Sequence, residues 1–175
     1  MPEYHGLITD NIGYLRQALE LLLALSDELY SSAVPLAFNS SVGAHVRHCL
    51  EHYECFVAGW RAREIDYDAR PRDRRVEQER AVAQGRIEKL IAELRQIAAE
   101  EKTCAVRVKQ DSNTAPNAIA AWSASSVRRE LQFLVSHTVH HFALIAMMLR
   151  MQGFEPSADF GVAPSTLKYR QVVGD

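Results

Sequence analysis

The sequence predicts an all-α protein, a four-helix bundle with a short β-hairpin or extended excursion before its last helix. Three observations predict it. Four long segments carry apolar residues at helical spacing. Short polar linkers rich in turn formers separate them. Only the stretch from Cys104 to Ser123 changes to a β-like texture. The 175 residues suit one domain, residues 1–175, with a full hydrophobic core.

The first helix is expected from about Thr9 to Tyr30. Thr9, Asp10 and Asn11 can each cap its start, and Ile12, Leu15, Leu19, Leu22, Leu23 and Leu29 recur on one side. Pro35 and Asn39-Ser40-Ser41 break and restart the chain, which makes Ser40 or Ser41 the next N-cap. The second helix then runs to about Ala62, with Val42, Val46, Cys49, Tyr53, Val57 and Trp60 as its apolar stripe.

The segment Asp66 to Asp73 reads as a loop fixed by Pro71. A third helix follows, from about Asp73 to Ala99, rich in Glu, Arg, Gln and Ala, with Gly85 marking a bend or a close contact. Cys104–Lys109 and Ile119–Trp122 flank the turn-rich Asp111–Asn117 and predict the hairpin. Ser125 or Ser126 caps the fourth helix, which reaches about Gln152; Gly153 stands where a C′ glycine belongs and Pro156 follows. The tail Phe160–Tyr169 lacks a helical period and is expected to dock in extended form.

Composition excludes several classes. Hydrophobic residues make up 47% and charged residues 24%, as in soluble globular proteins. The net charge of -2 shows no basic excess, so nucleic acid is not an expected partner. The arginines between Arg61 and Arg80 are interleaved with acids and read as a salt-bridged surface. Three cysteines without CxxC spacing point to a reducing cytoplasm rather than a disulfide framework. The N-terminus lacks signal-peptide features, and the run Leu21–Leu25 falls far short of the ~20 residues of a membrane span. A soluble cytoplasmic protein without membrane partners is therefore expected. No glycine-rich phosphate loop, GxSxG elbow or catalytically spaced carboxylate pair is present.

The chemistry concentrates in histidine. Six of the seven histidines fall in two clusters, His45, His48 and His52 on the second helix and His137, His140 and His141 on the fourth. An unpartnered imidazole in an apolar helix costs free energy, so it needs a hydrogen bond or a metal ion. His137 and His141, spaced i, i+4, share a face with Leu134, Leu144 and Met148, and Glu130 lies near its start. His140 points roughly 80–100° away from both. The two clusters read as halves of one metal site. A catalytic site of the zinc type wants three protein ligands and an open position. His137, His141 and one of His45, His48 and His52 supply that count, and spacing alone does not choose among the three.

Ser41-Val-Gly-Ala followed by His45-Val-Arg-His48 and then Glu51, with His137-Thr-Val-His140-His141 later, resembles the motifs of the DinB/YfiT-like superfamily of four-helix-bundle metalloproteins. The element order matches as well. The resemblance implies His48, His137 and His141 as ligands of a divalent ion, zinc or nickel, with Glu51 at the acidic position after the second-helix ligand. It also implies a homodimer and a small-molecule substrate. Members of known activity include transferases and isomerases that use a low-molecular-weight thiol, mycothiol or bacillithiol, and others are labelled metal-dependent hydrolases. The extra histidines His45 and His52 depart from the usual pattern.

The expected function is thus a divalent-metal-binding protein acting as a metal-dependent hydrolase or thiol S-transferase. Its alternatives are a non-catalytic metal-binding or stress-response protein, with His45 or His52 as fourth ligand, or a structural bundle without metal. No catalytic base is identified; Glu51 and Glu130 are candidates to orient a ligand imidazole. Asp66–Arg72 and Phe160–Thr166 read as a fixed turn and a docked tail, with Arg70, Arg72 or Lys168 meeting an anionic substrate as the functional alternative. Cys49 lies on the core stripe and reads as a small hydrophobe. Trp60, Trp122, Met147, Met148 and Met151 read as core or dimer-interface residues.

Overall fold

A computed structural model describes residues 5–100, 104–111 and 121–174. In chain order, the elements are α1 (His5–Ala24), α2 (Asp27–Ser31), a 3₁₀ turn (Pro35–Ala37), α3 (Val42–Gly59), β1 (Glu64–Asp66), α4 (Arg74–Gln78), α5 (Arg80–Ala99), β2 (Ala105–Lys109), β3 (Trp122–Ser126), α6 (Val127–Met151) and α7 (Pro164–Val173). The long helices make the bundle: α1 and α3 each pack against both α5 and α6. Ile8, Leu15 and Leu22 from α1, Leu50 and Phe56 from α3, Ile87 and Leu94 from α5, and Leu134, Ile145 and Leu149 from α6 are buried between them. Each such side chain contributes about 1.5–3 kcal/mol of apolar burial. The mainly helical class expected from the sequence is the one observed.

The caps explain where helices stop. Ser41 accepts a hydrogen bond from the Ala44 amide and opens α3, and Ser126 does the same for α6 through Arg129. At the other end of α6, Gly153 adopts φ +79°. Its N–H donates to Arg150 O at 3.0 Å while Phe154 N–H donates to Leu149 O at 2.9 Å, a Schellman closure.

Four boundaries differ from expectation. The first helix does not run to Tyr30. Ser26 leaves the helix with extended backbone, caps Leu29 and starts α2 separately. Nor do Thr9, Asp10 or Asn11 cap its start, because the helix is already formed at His5 and Asn11 is buried in the core. The third helix is broken at Glu79, where φ -114° and ψ 97° separate α4 from α5. Gly85 lies inside an unbroken turn with open space where a Cβ would be, so it marks neither a bend nor a close contact. The tail docks, since Phe160 stacks on Phe142 with ring centroids 4.7 Å apart. It is not extended throughout, however: Pro164 starts α7, which holds Lys168 on an exposed side.

The excursion is larger than a hairpin. β2 and β3 pair antiparallel with Ala105 opposite Ser126, and β1 adds in parallel to β2, giving the order β1-β2-β3. The second strand begins at Trp122 rather than ending there; Ile119 and the turn at 112–117 lie outside the described residues. β1 escaped sequence reading because its three residues are too few to show alternation.

Trp60 and Met148 are buried as expected, whereas Trp122, Met147 and Met151 are exposed. α6 has the length and apolar composition of a membrane span. Its apolar side is the one that packs into the bundle.

Candidate metal centre

The apolar stripes of α3 and α6 place the histidines. Val46, Leu50 and Tyr53 on α3, and Leu134, Thr138 and Phe142 on α6, are buried where the two helices pack. His45, His48 and His52 stand beside the first stripe, and His137 and His141 beside the second. The two sets therefore meet along one seam.

At its centre, His48 Nε2 and His137 Nε2 are 3.1 Å apart. His52 offers a ring nitrogen within 4.8 Å of the ligand atoms of both, so His48, His52 and His137 form a group that could hold a metal ion. The His141 ring lies 4.6 Å from those of His48 and His137, centroid to centroid. His45 closes the end of the cluster, its Nδ1 2.9 Å from His141 Nδ1. His140 is exposed and turned outward, as the helical count requires.

The nitrogens differ in what they have left to give. His52 is occupied at both: Nδ1 meets the His48 carbonyl oxygen at 2.7 Å, and Nε2 receives a hydrogen bond from Arg70 Nη1 at 2.7 Å. His141 is held at Nδ1 by His45. Among the described residues, His137 Nδ1 is buried without a hydrogen-bond partner. Two imidazole nitrogens that each sit about 2.0–2.1 Å from one ion lie roughly 3.0–3.4 Å apart at common coordination angles. The His48–His137 separation falls within that span.

Burial dominates the electrostatics. It pushes His48 down to about 3, helped by the charges of His52, His141, Arg70 and Arg47. Burial takes His137 down to about 2, with further contributions from His52, His141 and His48. His52 and His141 are lowered to about 4, again mainly by burial. At neutral pH these rings are uncharged and carry lone pairs, the form that binds transition metals.

The acidic candidates have other partners. Glu51 Oε1 accepts from the Asp73 amide at 2.9 Å, and its carboxylate faces Arg47, so it ties α3 to the start of α4. Glu130 accepts from Ser125 Oγ and from Tyr67 Oη, the latter at 2.8 Å. Tyr67 in turn stacks on His52 at 5.5 Å, and Phe133 covers His137 at 5.5 Å. Sequence reasoning missed Tyr67. The alternation of buried Ile65 and Tyr67 was the signal that could have found it. Arg72 and Lys168 are exposed, while Arg70 reaches the cluster. Cys49 is buried and its thiol pushed upward by burial, which keeps it protonated.

Fold and site together define a helical-bundle protein with a histidine cluster at the seam of two helices, able to hold a metal ion. The family model of the DinB superfamily matches residues 14–145, and the chain belongs to that superfamily. Comparison with curated proteins and with solved structures gave no match.

Proposed function

We propose that the chain binds one divalent ion, zinc or nickel, through His48, His137 and His141, and that it uses the ion in hydrolysis or in transfer to a low-molecular-weight thiol. The observation that carries this reading is the 3.1 Å approach of His48 Nε2 to His137 Nε2 between two half-buried, neutral rings. His141 is favoured as third ligand because His45 holds its Nδ1 and leaves Nε2 for coordination, an arrangement common among ligand imidazoles. His52 would first have to release Arg70.

An ion held by three imidazoles supplies Lewis acidity and lowers the pKa of a bound water or thiol. The chain's own residues do the positioning. His45 orients His141, the Tyr67 and Phe133 rings cover His52 and His137, and Arg70 holds His52.

One observation favours a second reading. The His52 nitrogen close to the His48–His137 pair could complete a closed four-nitrogen site, which would suit metal storage or sensing rather than catalysis. X-ray absorption on the zinc-loaded protein and on His52→Ala separates the two. Three imidazoles plus an exchangeable oxygen in both samples supports the enzyme. Loss of one imidazole in the variant supports the closed site.

A further inference from the structure

Arg70 stands out among the partly buried arginines. Arg47 pairs with Glu51 and Glu77, Arg80 with Asp27, and Arg86 with Glu54 and Asp73. Arg70, in the loop between β1 and α4, has no carboxylate partner among the described residues. Its Nη1 donates instead to the neutral His52 ring. A guanidinium is a planar fork suited to two parallel hydrogen bonds with an oxyanion, and here most of that fork is unspent.

The charge count of the centre points the same way. The imidazoles are neutral, so a divalent ion brings two positive charges that its ligands leave uncompensated. Arg70 adds a third charge, and its field reaches His48, His52 and His137. Asp68, whose field reaches His52, offsets one, although its Oδ1 already accepts from the Asp111 amide. Glu51 and Glu130 are taken up by the Asp73 amide, Arg47, Ser125 and Tyr67. Net positive charge therefore remains at a partly enclosed site, where an anion is held more strongly than in bulk water.

We infer that this centre takes a small substrate bearing an oxyanion, a carboxylate or a phosphate, with Arg70 as its second anchor beside the histidine-bound ion. The inference rests on the metal reading above. It turns the uncompensated charge from a liability into a selection rule: neutral compounds of the same shape forgo the interaction that the site is built to make.

The test uses the cobalt-loaded protein, whose visible spectrum reports changes around the ion, titrated with acetate and separately with inorganic phosphate. Wild type is expected to give a saturable spectral change with at least one of the two. Arg70→Gln is expected to keep one cobalt per chain while binding the anion about tenfold more weakly, the scale of a lost charge-assisted hydrogen bond. Arg70→Lys, which keeps the charge and loses the fork, should fall between; should Arg70→Gln fail to fold, this variant carries the comparison. A stronger response to acetate assigns a carboxylate substrate, and a stronger response to phosphate a phosphorylated one. Equal anion affinity in wild type and variant, or no response to either anion, overturns the inference and leaves the metal site standing. Failure of wild type to take up cobalt removes the metal reading itself.

Discussion

Thr138 Oγ1 donates to Tyr53 Oη at 3.3 Å across the seam of α3 and α6, and each is the chain neighbour of a clustered histidine, His137 and His52. Tyr53 passes its own hydrogen to Asn11 Oδ1 at 2.9 Å, and Asn11 Nδ2 donates to the Leu7 and Leu131 carbonyl oxygens. Asn11, Tyr53 and Thr138 are all buried. One polar chain thus joins α1, α3 and α6 and sets the register that brings the histidines face to face.

Tyr53→Phe should therefore destabilise the protein by about 1–3 kcal/mol, because it leaves Asn11 Oδ1 buried without its donor. Urea unfolding at neutral pH reads this directly. A loss below about 0.5 kcal/mol, the scale of a neutral surface change, would mean that the network does not hold the register.

Two glycines should respond oppositely to alanine. A Cβ at Gly43 would run into the Glu77 carbonyl group, which is backbone and cannot swing aside, and would crowd the Tyr30 ring at 2.9 Å. Gly43→Ala is expected to cost 1–3 kcal/mol or more by overpacking and to part α4 from α3. Gly85, with open space at its Cβ position in the middle of α5, should gain about 0.5–1 kcal/mol as alanine. Thermal unfolding of both variants checks the pair, and equal shifts would contradict the packing described.

Acid should destabilise the metal-free protein through the cluster. Folding lowers His48 to about 3, His52 and His141 to about 4 and His137 to about 2, from 6.5. As pH falls below 6.5, the unfolded chain takes up these protons before the folded one, so stability is full above 6.5 and declines toward the folded values. Urea midpoints should drop between about pH 7 and about pH 5, with a shallower drop in His137→Ala. A flat profile in wild type would show that the rings are not desolvated as described.

Much of the bundle was legible because its signals are local. Ser41, Ser126 and Gly153 act at helix ends through bonds spanning a few residues, and the stripes of α3 and α6 repeat over many turns. What escaped was decided by tertiary contact. The break at Glu79 lies in a run of good helix formers, and three-residue β1 exists only because β2 pairs with it. Within the site, the clusters and the outward turn of His140 could be read from spacing. The pairing of His45 with His141, the reach of Arg70 to His52 and the cover of Tyr67 depend on how separate elements meet, and no spacing rule contains that.

The sharing of one ion by His48 and His137 decides between a metal centre and a structural bundle without metal. Its most direct measurement is the metal content of protein purified without a polyhistidine tag, alongside His48→Ala, His137→Ala, His141→Ala and His140→Ala. About one zinc or nickel per chain is expected in wild type and in His140→Ala, with stoichiometric binding lost in the other three. No metal in wild type after reconstitution, or the same loss in His140→Ala as in His137→Ala, would contradict it.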